Sequence, residues 1–262
     1  MTPATATTPT ASGASLEPVL ELTVAISLFN YGHYIAAAME SVCQQTMAQA
    51  IELIVVDDAS KDQSVAMVEQ FCRDRAALIG RLGAFRLVRH DHNRGLAEAR
   101  NTAFALANTP SVLVLDADNR LLPQACSTLL AALRSAPPTI GAAYPLLVVE
   151  GHPRQRVANE LPWNDQRLRQ GNTVDALALV RREAWQQVGG FVHTPGGWED
   201  FDFWCRFVEA GLSAIQVPQL LAVYRHHGDS MKNSETARRE EELRHLLQER
   251  HPWLELTGPA AS

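Results

Sequence analysis

Ser111-Val112-Leu113-Val114-Leu115-Asp116-Ala117-Asp118-Asn119 is the stretch whose reading decides the fold. Its apolar run leads directly into two carboxylates one small residue apart. A short continuous apolar run bounded by turn formers reads as a strand buried on both faces. Asp116 and Asp118 then sit where a central strand leaves the sheet. Carboxylates at i and i+2 repel each other unless a positive group lies beside them, and a hard divalent cation with oxygen ligands supplies it. Ligands in open α/β sheets bind outside the carboxyl ends of the strands. The stretch therefore points to a metal-assisted site for an anionic substrate. The competing reading is a plain turn, since Asp favours turns after strands.

Working outward, the same strand–helix alternation recurs on both sides. Residues 22–28 form a first strand, broken by Asn30-Tyr31-Gly32, and Tyr34, Ile35, Ala38, Met39 and Val42 follow at helical spacing. Residues 51–56 form a second buried strand ending in Asp57-Asp58-Ala59-Ser60, and residues 85–88 a third. Helices are expected over 65–71, over 95–106 and from Pro123 to just before Pro137-Pro138. Downstream, strands are expected at 142–149, 173–180 and 214–224, with helices at 181–188, 199–210 and about 234–250. The polar segment 150–172 is long for a plain connection and reads as a functional loop. The alternation predicts an α/β fold with a mostly parallel central sheet, flanking helices and right-handed crossovers.

The 262 residues suffice for one large α/β domain, and 46% hydrophobic with 20% charged residues is ordinary for a globular protein. The net charge of −6 comes without a Lys/Arg-rich run, so no nucleic-acid footprint is present. Cys43, Cys72, Cys126 and Cys205 form no C-x-x-C pair and read as free thiols of a reducing cytoplasm. No apolar run approaches the roughly 20 residues that span a bilayer. The Thr-, Ala-, Ser- and Pro-rich start lacks the pattern of a signal peptide. Residues 1–20 are expected as a disordered tail, 21–232 as the main domain and 233–262 as a C-terminal helix and tail. Peripheral contact with the inner membrane face would run through that helix. Its Arg238-Arg239 is matched by Glu240-Glu241-Glu242, which favours a solvated face.

The strand ends carry the chemistry. Asn30, Asp57, Asp58, Asp116 and Asp118 all fall at one rim of a parallel sheet, and turn or cap roles explain so many like charges poorly. Ser27-Leu28-Phe29-Asn30-Tyr31, Asp57-Asp58-Ala59-Ser60-Lys61-Asp62, Asn93-Arg94-Gly95-Leu96-Ala97-Glu98-Ala99-Arg100-Asn101 and Asp116-Ala117-Asp118 occur in that order. Val188-Gly189-Gly190-Phe191, Trp198-Glu199-Asp200-Phe201-Asp202 and Tyr224-Arg225-His226-His227 follow. In this order the pieces resemble a family 2 glycosyltransferase of the GT-A fold, over residues 22 to 231.

The resemblance implies a Rossmann-like nucleotide-binding half, an acceptor-binding half, and an inverting transfer from a nucleotide-diphosphate sugar. The donor is expected to be UDP-, GDP- or dTDP-linked. The acceptor is expected to be a glycan, lipid-linked or protein hydroxyl in cell-surface polysaccharide or glycolipid synthesis. It implies that Asp57 or Asp58 contacts the base or ribose, that the backbone at Leu28 to Asn30 flanks the base, and that Arg100 faces the diphosphate or braces the acidic pair. Asp118 would bind Mn²⁺ or Mg²⁺ most directly, and Asp116 the ribose or a metal-bound water. Many relatives carry a third Asp where this chain has Asn119. His227 matches a further metal or diphosphate contact, with His226 competing. Asp200 matches the base that deprotonates the acceptor hydroxyl, with Asp202 a weaker alternative; Glu199 and Trp198 fall on the acceptor side. Two other readings are a sugar nucleotidyltransferase, which calls for a Gly-rich phosphate loop that Leu28 to Tyr31 does not provide, and a non-catalytic nucleotide-sugar-binding module.

Overall fold

A computed structural model describes residues 19–228, 236 and 238–256. In chain order the elements are β1 (Leu22–Leu28), α1 (Gly32–Cys43), β2 (Ile51–Asp57), α2 (Ser64–Asp74), α3 (Ala76–Ile79), β3 (Ala84–Arg89), α4 (Leu96–Leu106) and β4 (Ser111–Asp116). Then come β5 (Arg120–Leu121), α5 (Ala125–Ser135), β6 (Ile140–Glu150), β7 (Val157–Ala158), α6 (Asp165–Leu168), β8 (Leu179–Arg181), α7 (Arg182–Gln187), α8 (Glu199–Glu209), β9 (Ser213–Arg225) and α9 (Glu240–Arg250). The strands form one sheet in the order β3-β2-β1-β4-β8-β6-β9-β5, with β7 added on β6.

The first half is the parallel set β3-β2-β1-β4. The second half is mixed: β8 runs antiparallel to β4 and β6, β6 and β9 run parallel, and β5 runs antiparallel to the end of β9. Side chains alternate across the central strands. Val24 and Ile26 of β1 and Leu113 and Leu115 of β4 pack with Ile35, Met39 and Val42 of α1 and with Leu129 and Leu133 of α5. Ala25, Val112 and Val114 face the other way, onto Ala99, Ala103 and Phe104 of α4 and onto Phe203 and Phe207 of α8. The central strands are thus covered on both faces, which is why they read as unbroken apolar runs. No described helix is long and apolar enough to cross a membrane.

One expectation needs correction. Residues 173–178 do not belong to a strand; only Leu179–Arg181 is one. The preceding backbone is diverted by side chains, since Val174 N–H donates to Asn172 Oδ1 (3.1 Å) and Leu177 N–H to Asp175 Oδ1 (2.9 Å). These local bonds compete with a ladder. The helix expected from about residue 234 is seen at Glu240–Arg250, with residues 236 and 238 helical before it; residues 229–235 and 237 lie outside the described set, as do residues 1–18 of the expected 1–20 tail. The four cysteines are free, as expected, with Cys72 only half-buried.

Candidate active site

A cleft of about 1430 Å³ opens at the carboxyl ends of β1, β2 and β4, and the expected site residues converge on it from different elements. Leu28, Asn30, Asp58, Arg100, Asp116, Asp118, Trp198, Glu199 and Asp200 all contribute to its wall. Asp57 and His227 are not among its lining residues but adjoin ones that are: Asp57 precedes Asp58 in the chain, and His227 contacts Asp118.

The two carboxylates after β2 have separate surroundings. Asp58 is saturated: Arg94 N–H and Gly95 N–H donate to it at 2.8 Å each, and His90 Nδ1 lies 2.6 Å from Oδ1. It moulds the 93–95 turn that starts α4. Asp57 is 1% exposed, accepts Ser60 N–H at 3.3 Å on Oδ2, and has no protein partner for Oδ1 among the described residues. An orphan buried oxygen of this kind wants a donor. Beside it, Asn30 adopts a left-handed backbone (φ 57°). Its Oδ1 accepts Lys61 N–H (2.8 Å) and its own N–H donates to Ser60 Oγ (3.0 Å). A non-glycine residue in this region costs free energy and is concentrated at functional turns.

The Asp116-Ala117-Asp118 turn feeds β5, and β5 pairs antiparallel with the end of β9 through Arg120 opposite Val223. That pairing brings the segment after β9 over the turn. His227 Nε2 lies 3.0 Å from Asp118 Oδ2, with both side chains about one-eighth exposed. His226 instead sets its ring edge-on against His152, 4.6 Å between centroids. Of the two histidines, His227 is the one at the acidic turn. Asn119 is buried and its Oδ1 accepts Arg225 N–H (2.9 Å), so it holds the end of β9. Burial raises the Asp118 carboxyl above the ordinary range, and the neighbouring Asp116 charge adds to this. Nearby positive charge would relieve that cost.

The donor chemistry here fits a hard divalent ion. Asp118 offers oxygen, His227 offers an imidazole nitrogen, and Asp116 stands beside them. Two adjacent donors are what the protein itself supplies; among the described residues no group of three His, Cys, Asp or Glu side chains is assembled.

Arg100 joins the two halves of the cleft. Its side chain is 2% exposed; Nη2 donates to Asp116 Oδ1 (3.0 Å) and Nη1 to Glu199 Oε1 (2.8 Å). Its guanidinium also lies 5.4 Å from the centroid of the Phe191 ring. Burial opposes its charge, but the carboxylates of Asp116 and Glu199 hold it protonated. Phe191 is placed by Gly190, whose φ of 77° suits glycine. Asn101 Oδ1 accepts N–H groups from both Phe191 (2.8 Å) and Trp185 (3.0 Å).

On the far wall, α8 begins at Trp198, which has a left-handed backbone (φ 65°) and sets its ring edge-on to Phe201. Asp200 lies in the first turn. Its Oδ1 accepts Phe201 N–H (2.8 Å) and its Oδ2 accepts Asn172 Nδ2 (2.9 Å). Burial, then the neighbouring carboxylates of Glu199 and Asp175, push the Asp200 carboxyl up to about 7, with Arg100 opposing. That is the value a general base working near neutral pH needs. Asp202 has another task. Arg206 Nε donates to its Oδ2 (2.8 Å) and Arg250 Nη1 to its Oδ1 (3.0 Å), while His251 Nε2 lies 3.3 Å from Oδ1. Burial acts to raise the Asp202 carboxyl, but these partners hold it below the ordinary range. Its Oδ1 ties α8 to the end of α9, and its Oδ2 is held within α8 by Arg206.

Asn172, Asp175 and Tyr224 also line the cleft; Asn172 and Asp175 were not singled out as site residues from the sequence, and Tyr224 only as part of a motif. The available signal was two polar residues, Asn172 and Asp175, next to an otherwise apolar run.

A curved α/β sheet with an acidic Asp-x-Asp turn on one wall of its cleft and a helix-borne carboxylate on the other defines the GT-A class of fold. The family model described as "Glycosyl transferase family 2" matches residues 23–189, and the chain belongs to that family. Staphylococcus aureus TarS 1-349, solved with UDP-GlcNAc, shares the fold at 17% identity and a TM-score of 0.67, covering 82% of this chain and 61% of that one. The mannosyltransferase PcManGT of Pyrobaculum calidifontis, solved with GDP-Man and Mn²⁺, is 26% identical with a TM-score of 0.62, covering 87% and 62%. The teichoic acid poly(glycerol phosphate) polymerase of Staphylococcus epidermidis is 36% identical over 101 residues, 38% of this chain and 13% of the relative. The succinoglycan biosynthesis protein ExoU of Rhizobium meliloti is 37% identical over 103 residues, 39% of this chain and 28% of the relative. The matched region is thus a minor part of these two relatives.

Proposed function

We propose that this protein moves a sugar from a nucleotide-diphosphate sugar to an acceptor hydroxyl with inversion, in the synthesis of a cell-surface polysaccharide. The observation that carries the reading is the Arg100 bridge: one buried guanidinium holds Asp116, on the Asp-x-Asp turn, and Glu199, next to Asp200, across the same cleft. Nucleotide-sugar complexes of the two solved neighbours support the donor class, and the names of the two partial relatives support the polysaccharide setting.

In this reading the base and ribose lie along Leu28 to Asn30, with the unpaired Oδ1 of Asp57 accepting a donor from the nucleotide. Asp118 and His227 would hold Mn²⁺ or Mg²⁺, with Asp116 beside them. The ion, when bound, supplies positive charge that stabilises the departing diphosphate. Asp200, ionised, takes the proton of the acceptor hydroxyl as the hydroxyl oxygen bonds to the anomeric carbon. The bond from that carbon to the diphosphate oxygen breaks, and the electron pair leaves with the diphosphate. A single displacement inverts the centre and needs no covalent nucleophile. Arg100 keeps the two walls in register, which matters because reacting atoms must be held within a few tenths of an ångström.

The test is release of nucleoside diphosphate from a panel of UDP-, GDP- and dTDP-sugars, with and without Mn²⁺ or Mg²⁺. Turnover of at least one donor that is lost in both Asp118→Ala and Asp200→Ala is expected. Intact turnover in both variants would refute the assignment.

A further inference from the structure

We infer that Asn172 is a positioning residue for Asp200, locking the carboxylate that receives the acceptor proton, and that Asn172 is itself anchored to the sheet through Asn159. The inference rests on the proposed role of Asp200 as base and deepens it.

The carboxamide of Asn172 has two neighbours of opposite character. Its Oδ1 accepts Val174 N–H at 3.1 Å, and its Nδ2 donates to Asp200 Oδ2 at 2.9 Å. A backbone N–H can only donate and an ionised carboxylate can only accept, so the amide has one workable orientation. With Phe201 N–H on Oδ1, both carboxylate oxygens are engaged, which fixes the plane of the carboxylate.

The segment bearing Asn172 is held in turn. Asp175 N–H donates to Asn159 Oδ1 (2.9 Å), and Asp175 Oδ1 accepts Leu177 N–H (2.9 Å). Asn159 is 8% exposed and has a left-handed backbone (φ 59°). Its Nδ2 donates to Pro145 O in β6 (3.1 Å), and its carbonyl accepts Gln216 Nε2 from β9 (2.6 Å). The path from the sheet to Asp200 therefore runs through two asparagine carboxamides, each using both ends. Asn159 and Asn172 both line the cleft, so an acceptor entering there meets the residues that set the base.

The groups facing Asp200 are Glu199 on α8, Asp175 on the 172–177 segment, Arg100 on α4, Tyr224 on β9 and Cys205 on α8. Against this mainly acidic set, the Asn172 amide is a neutral donor that favours the ionised form of Asp200.

Asn172→Asp replaces that donor with a carboxylate that brings its own charge, so Asn172→Ala, which removes the donor without adding charge, is measured beside it. The aspartate keeps an oxygen for Val174 N–H and replaces the Nδ2 donor with a second carboxylate oxygen. Two measurements decide the question. The first is the ¹³C titration of carboxyl-labelled Asp200, assigned by its absence in Asp200→Asn. Its midpoint is expected to move up by about one pH unit or more in Asn172→Asp. The second is steady-state turnover: kcat at pH 7 is expected to fall by about tenfold or more, with donor KM unchanged and recovery at higher pH. In Asn172→Ala a smaller upward shift is expected, and a purely structural role would move thermal stability but neither the titration nor the pH profile. An unmoved or lowered Asp200 midpoint in Asn172→Ala overturns the inference. If wild-type protein turns over no donor, the proposed function fails, and the titration still decides whether Asn172 sets Asp200.

Discussion

Asp200→Asn should make the protein more stable at pH 8 while abolishing most of its turnover. The carboxyl has an ordinary value of 3.8 and is pushed up to about 7 in the fold. As pH rises, the unfolded chain gives up this proton near 4, whereas the folded protein keeps it until about 7. Across that window the unfolded state binds fewer protons than the folded state, so stability falls with rising pH and is flat above it. A difference of about three pH units corresponds to roughly 4 kcal/mol. Asp200 keeps one side to the open cleft, so solvent screening brings the expected span to about 2–4 kcal/mol.

The asparagine carries no charge at any pH and escapes this loss. It brings a smaller, pH-independent cost: one amide oxygen must now serve two donors, Phe201 N–H and Asn172 Nδ2, at about 1 kcal/mol. The assay is urea unfolding of both proteins from pH 4.5 to 8, with turnover measured in parallel. The stability difference should swing in favour of the variant as pH rises, while kcat falls by about 10²–10⁴. A difference that stays constant across the range, or swings the other way, would refute the account of Asp200 as a carboxyl whose proton affinity is raised by its surroundings.

Three further outcomes follow from the same geometry. Arg100→Met should cost about 3–5 kcal/mol in urea unfolding at pH 7, because it leaves the nearly buried Glu199 without its cation and Asp116 without its brace; a cost under about 1 kcal/mol would show that the bridge is dispensable. Asp118→Ala should weaken Mn²⁺ binding in the presence of nucleoside diphosphate by about tenfold or more, read by electron paramagnetic resonance, without altering nucleotide affinity in metal-free buffer. Gly190→Ala should lower the thermal midpoint by several degrees, since its Cβ would sit 2.8 Å from Asn101 Oδ1 at a φ of 77° and would displace Phe191 from beside Arg100; an unchanged midpoint would contradict that packing.

Much of the donor half was legible in the chain, because its strands are short apolar runs that end in carboxylates. β1, β2 and β4 lie where the runs end, and Asp116 and Asp118 stand at the rim as the run 112–115 implied. The segment 173–180 was misread for a physical reason. Val174, Ala176, Leu177 and Ala178 are all buried, so burial mimics a strand while Asn172 and Asp175 bend the backbone off the ladder. Asn172 and Asp175 were not marked because the partners that place them in the cleft, Asp200 and Asn159, lie 28 and 16 residues away. Asp57 and Asp58 read as an equivalent pair. Their difference arises only when Arg94 and Gly95 N–H groups close on Asp58 and leave an oxygen of Asp57 unmatched. The choice between His226 and His227 likewise waits on β5 meeting β9.

The tie between Asp202 and the Arg250-His251 corner redraws where a transplantable acceptor cassette would have to be cut. The family match stops at residue 189, before α8, yet α8 is fastened by side chains some fifty residues further on. Arg250 Nη2 also reaches His193 O (3.2 Å), and Thr236 Oγ1 reaches Gly196 O (2.6 Å), so the loop in front of Asp200 is held by the same stretch. An engineer exchanging acceptor specificity between relatives would need to move the loop, the helix and the 236–254 stretch as one block. A graft ending soon after α8 would carry Asp200 across without its frame.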